Sequence, residues 1–118
     1  MVIITTENNN LILHVKGMGK ILAFKSEMTI PIEHIKGVTA DSGAFDMPKG
    51  IRAPGTAVPG IVYAGTFYHD GDKVFWDVHN RAKTIVIELR DEEFSRLIVE
   101  VENVDEAVKL IEEGINKQ

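Results

Sequence analysis

Apolar and polar residues alternate along most of this chain at the period of two that marks half-buried strands. Leu11, Leu13 and Val15 fall on one face and Ile12 and His14 on the other. Val74, Trp76 and Val78 repeat the pattern, as do Ile85, Ile87 and Leu89, and then Leu97, Val99 and Val101. Val2–Thr5 is a short β-branched run ended by Glu7-Asn8-Asn9-Asn10, which is turn chemistry. Gly17 and Gly19 predict a second turn before a strand at Ile21–Phe24, and Glu27–Ile30 adds another strand, stopped or held at an edge by Pro31. A single turn over Ile32–Ile35 leads into Gly37–Ala40. Ala57–Ala64 and Thr66–Tyr68 read as strands with Gly65 as a bulge between them, and Asp70-Gly71 predicts a tight hairpin into Val74–Val78. Seven or eight short strands at this spacing point to a small barrel or sandwich.

The last segment has a different period. Val104, Ala107, Val108, Ile111 and Ile115 lie on one stripe of a helix, and Asn103 with Glu106 three residues on forms an N-terminal capping pattern. A helix over about 104–116 is therefore expected to close the fold. The longest stretch without either period is Asp41–Thr56, punctuated by Gly43, Pro48, Gly50, Pro54 and Gly55. It reads as a loop, and residues 41–60 are the part a β-fold does not need. Its apolar and basic residues Phe45, Met47, Ile51, Arg52 and Val58 make it a candidate interaction surface.

Composition narrows the classes. The 118 residues form a single domain, 1–118, with no cysteine and hence no disulfide framework and no thiolate chemistry. The net charge of −5 is uneven: residues 1–60 carry 6 Lys or Arg against 5 Asp or Glu, and residues 61–118 carry 7 against 13. That balance argues against nucleic acid as a partner and leaves any anion site to the first half. No signal segment or apolar run of membrane-spanning length is present, so a cytoplasmic location is expected.

The order of elements resembles the bacterial pleckstrin-homology-like proteins. The resemblance is carried by Ile30-Pro31-Ile32-Glu33-His34-Ile35-Lys36-Gly37-Val38, by the late hairpin Lys73–Leu89 and by the closing helix Asn103–Ile115. It implies a small barrel or sandwich of about seven antiparallel strands capped by the helix. It also implies a basic cluster at the first hairpin, here Lys16, Lys20 and Lys25, as a candidate site for anionic lipid or another anion, although the family's alternating Lys-x-Arg pair is missing.

Catalytic and cofactor signals are sparse. Gly50–Thr56 has the spacing of a phosphate loop but lacks its Lys, and Pro-Gly turns account for it. The four His residues show no ligand spacing, and the Glu92-Glu93 and Glu112-Glu113 pairs read as solvated charge. The sequence thus predicts no cofactor, no metal and no enzymatic activity. It predicts a binding or assembly module acting on a protein partner or on itself through strand edges and the 41–60 loop. A small-molecule or enzymatic site beside that loop is the remaining alternative.

Overall fold

The computed structural model describes residues 1–16, 27–40, 51–58, 62–69 and 71–117, with backbone alone at 51–58, 62, 63, 69 and 81. The expected strand Ile21–Phe24 and loop residues 41–50 lie outside these. The described strands are β1 (Val2–Glu7), β2 (Asn10–Val15), β3 (Glu27–Pro31), β4 (Ile35–Thr39), β5 (Ile51–Val58), β6 (Val62–His69), β7 (Asp72–Val78), β8 (Thr84–Leu89) and β9 (Arg96–Glu100). The helix α1 (Val104–Asn116) follows them.

The strands form two sheets, a three-stranded one in the order β1-β2-β3 and a six-stranded one in the order β4-β8-β9-β7-β6-β5. Each has two edges. The expected closed barrel is therefore corrected to a pair of open sheets. The expectation of antiparallel strands throughout is corrected as well, because β9 inserts between β8 and β7 and runs parallel to β7. The reason lies in three continuous apolar runs, Val74–Trp76, Ile85–Ile87 and Leu97–Val99. Such runs suit strands buried on both faces, and side by side they make the middle of the larger sheet.

Local chemistry sets the connections. Asn8 and Asn9 both hold positive φ, 52° and 62°, in the two-residue turn that joins β1 to β2. Gly71, at φ 85°, supplies the corresponding left-handed position between β6 and β7. Pro31 ends β3, and the 3₁₀ turn Ile32–His34 carries the chain from the smaller sheet to the larger one.

Residues Ile51–Val58, expected to lie mostly in a loop, form β5 instead, paired antiparallel with β6. The strand escapes a periodicity reading because its register shifts between Arg52 and Gly55, leaving one extra residue around Pro54 opposite β6. β5 is an edge strand, where a residue without an N–H is tolerated. The bulge thus belongs to β5. Gly65 stays in register with Trp76 at φ 126°.

Two cores result. The main one joins Leu11, Leu13 and Val15 of the small sheet to Phe75, Ile85, Ile87, Leu97 and Val99 of the large one. Helix α1 seals it with Ala107 and Ile111, flanked by the half-buried Val104, Val108 and Ile115. At Gly114 the helix comes so close to the 3₁₀ turn that an added Cβ would sit 3.2 Å from Ile32 Cδ1. A second cluster, Phe67, Val74, Trp76, Val78, Val86 and Ile98, lies on the opposite face of the large sheet. Trp76 therefore points away from the helix and the small sheet, because its neighbour Phe75 takes the main-core face.

The helix depends on its cap and its stripe. Asn103 Oδ1 accepts from the Glu106 N–H at 3.0 Å, and Ile111 is 1% exposed. Urea unfolding followed by Trp76 fluorescence should show Asn103→Ala losing about 0.5–2 kcal/mol and Ile111→Ala about 2–5 kcal/mol.

Candidate functional site

Among the described residues, four strands stand at sheet edges: β1, β3, β4 and β5. An open edge presents unpaired N–H and C=O groups, which charge, proline or a bulge normally blunts. β3 begins at Glu27 and ends at Pro31. β4 contains the exposed Lys36 and a register shift between Ile35 and Gly37. β5 carries Arg52, Pro54 and its bulge. β1 has none of these over Val2–Thr6, where five uncharged residues pair with β2 without a break in register. Its only charge is Glu7 at the turn.

The direction of its backbone groups follows from the pairing. The Lys16 N–H donates to the Met1 carbonyl at 2.9 Å, so the bonded pairs continue at Ile3–His14, Thr5–Ile12 and Glu7–Asn10. Val2, Ile4 and Thr6 alternate with them, and their N–H and C=O groups point away from β2. Among the described residues, β1 pairs with no other strand.

That edge borders a groove of about 630 Å³. Val2, Ile3 and Ile4 line one side of it. Since side chains alternate between the faces of a strand, three consecutive residues line a groove only if it runs along the backbone edge. The other side is formed by Lys83, Val101 and Glu102 and by Asn103, Glu106, Ala107 and Leu110 of the helix start. Ile3 is 50% exposed, the most exposed large apolar residue described. The helix cap holds this wall in place, and Val101 is itself fixed by its N–H donating to the Lys83 carbonyl at 2.9 Å.

At the start of β1 the Met1 ammonium donates to Asp77 Oδ2 at 3.0 Å. Asp77 is only 3% exposed. Burial pushes its carboxyl above the ordinary value of 3.8, opposed by the ammonium and reinforced by the nearby Glu100. Glu100 in turn accepts from the His79 N–H at 3.0 Å.

Other polar clusters tie loops together. His34 Nδ1 donates to Glu92 across the 3₁₀ turn and the β8–β9 turn. Lys73 Nζ donates to Glu93 at 2.6 Å and lies over the rings of Phe94 and Tyr68; the Glu93 hydrogen bond leads the causes that raise its pKa. Among the described residues no three His, Asp or Glu side chains gather as metal ligands, and no buried side-chain N or O lacks a partner.

Among the site residues expected from sequence, Lys16 does not line this groove. Lys16 is exposed just beyond β2, and Lys20 and Lys25 lie outside the described residues. Phe45 and Met47 lie outside them too, while Ile51, Arg52 and Val58 belong to β5, at an edge of the other sheet. Sequence reading missed β1 and the helix start as a site. The available signal was the uncharged Val2–Thr6 run, but its edge position emerges only from the sheet order. No family model, no curated protein and no solved structure matches this chain.

The Asp77 shift has a defined pH signature. A carboxyl whose folded pKa is raised binds more protons folded than unfolded, so its contribution to stability falls as pH climbs from about 3.8 through the raised value. Denaturant midpoints measured from acid to neutral pH should decline across that window in the parent chain and decline less in Asp77→Asn. Parallel profiles would show that burial of Asp77 sets no pH dependence.

Proposed function

We propose that this chain is a non-catalytic binding module that accepts an extended segment of a partner protein as an added strand along β1. One observation carries the reading: the unguarded edge of β1 runs along the groove at Val2–Ile4, with the outward groups of Val2 and Ile4 beside it and those of Thr6 continuing the edge beyond it. Main-chain pairing to an exposed edge is an established mode of segment recognition.

Energetics say what else the groove must supply. Each added backbone hydrogen bond contributes about 0.5–1.5 kcal/mol net, whereas ordering each residue of the incoming segment costs about 1–2 kcal/mol. Pairing alone does not hold a segment in place. The surplus has to come from side chains set against Ile4, Val101, Ala107 and Leu110, at about 25 cal/mol per Å² of apolar surface removed from water. The helix start therefore belongs to the site as much as the strand does.

Thr6→Pro tests this. The Thr6 N–H faces away from β2, so proline there removes an outward donor without breaking the β1–β2 ladder. Extended segments selected from a displayed library on the immobilised chain should lose binding to Thr6→Pro while its melting temperature stays within a few degrees of the parent. A library that yields no binder, or binders indifferent to Thr6→Pro, overturns the reading.

A further inference from the structure

We infer that the occupant of the β1 groove is a single extended segment carrying basic side chains alternating with apolar ones, an inference that rests on the strand-docking reading above. Two independent features of the groove lead there, its far wall and its charge.

The far wall limits the occupant to one strand. A segment paired with β1 lies about 4.8 Å from it, and a further strand would lie the same distance beyond. On that side stand Lys83, Val101 and the first two turns of α1. A second copy of this chain would bring its own β2 attached to its β1, and that strand would have to occupy the place of the helix. A lone segment carries nothing on its far side.

Charge selects among segments. Glu102, Asp105 and Glu106 cluster at the helix start, all three exposed, with Glu102 and Glu106 lining the groove. Their carboxylates have no ion-pair partner among the described residues. Part of their role is to complement the helix dipole, which supplies only about half a positive charge. Among the lining side chains Glu102 and Glu106 outnumber Lys83 by one, so with the dipole included this end of the groove stays negative by roughly half a charge. The cap itself is the Glu106 N–H donating to Asn103 Oδ1. Lys and Arg suit such a wall on both counts, since their stems lie along apolar residues such as Leu110 while their heads reach the carboxylates.

Three acetylated, amidated peptides of about six residues, matched to the length of β1, separate the possibilities: alternating Val and Lys, Val and Ser, and Val and Glu. Calorimetric titration should rank them in that order. Affinity for the Val–Lys peptide should fall as salt is raised, and Glu102→Gln and Glu106→Gln should each weaken it about 1.5- to 5-fold. Thr6→Pro should abolish binding of all three. If the Val–Ser or Val–Glu peptide binds as tightly and still fails on Thr6→Pro, strand docking stands and the basic preference is overturned. If no peptide binds, or Thr6→Pro changes nothing, both readings fall. Sedimentation of the parent chain as a dimer that Thr6→Pro converts to a monomer would replace the single segment with a second copy.

Discussion

Strand β9 is the constraint the rest of the structure obeys. Leu97 and Val99 point into the main core and Ile98 into the second cluster, and all three are at most 1% exposed. A strand apolar on both faces is stable only between two neighbours and under cover on each side. Its neighbours are β8, reached through the turn at Arg90–Ser95, and β7, which it meets in parallel. The small sheet and α1 cover one face. The helix begins directly after β9, so its cap at Asn103 and the wall it builds beside β1 follow from where β9 ends. The candidate site is in this sense a by-product of sealing the main core.

The same arrangement explains what the sequence reveals and what it withholds. Alternation at Leu11, Leu13 and Val15 or at Ile85, Ile87 and Leu89 reports which side chains go inward, because burial on one face acts residue by residue. The helix is legible for the same reason, down to its Asn103 cap. Sheet order is a different kind of information. Nothing in Arg96–Glu100 says that it slots between β8 and β7 instead of extending the sheet at an edge, and that choice decides both the parallel pair and the loss of a closed barrel. Pro54 and Gly55 defeated the reading of β5 because proline and glycine in a strand mean a loop everywhere except at a bulged edge. Alternation likewise fixes that Val74, Trp76 and Val78 share a face but not which face it is.

The candidate site was illegible for a related reason. Val2–Thr6 is unremarkable as a strand sequence, and its meaning depends on what does not stand beside it. Among the described residues, three of the four edges carry a charge, a proline or a broken register, the devices by which sheets avoid unwanted pairing. The fourth carries β-branched residues in unbroken register with outward donors and acceptors. Those are the properties that would make an edge prone to aggregation if it were freely accessible. Here access is partial, since the helix start stands across the groove.

That partial access is the strongest argument for specificity over mere stickiness. An unguarded edge facing open solvent accepts any strand, including one still attached to its own sheet. In the proposed docking the edge would supply the common backbone attraction, and the wall of Ala107, Leu110, Glu102 and Glu106 would decide what is accepted. The two halves come from opposite ends of the chain and are held in register by separate means: β1 by its ladder to β2 and the Met1–Asp77 ion pair, the wall by the Asn103 cap and the Val101–Lys83 hydrogen bond. A change that loosens the helix without touching β1 would therefore leave the backbone attraction in place and remove the selection.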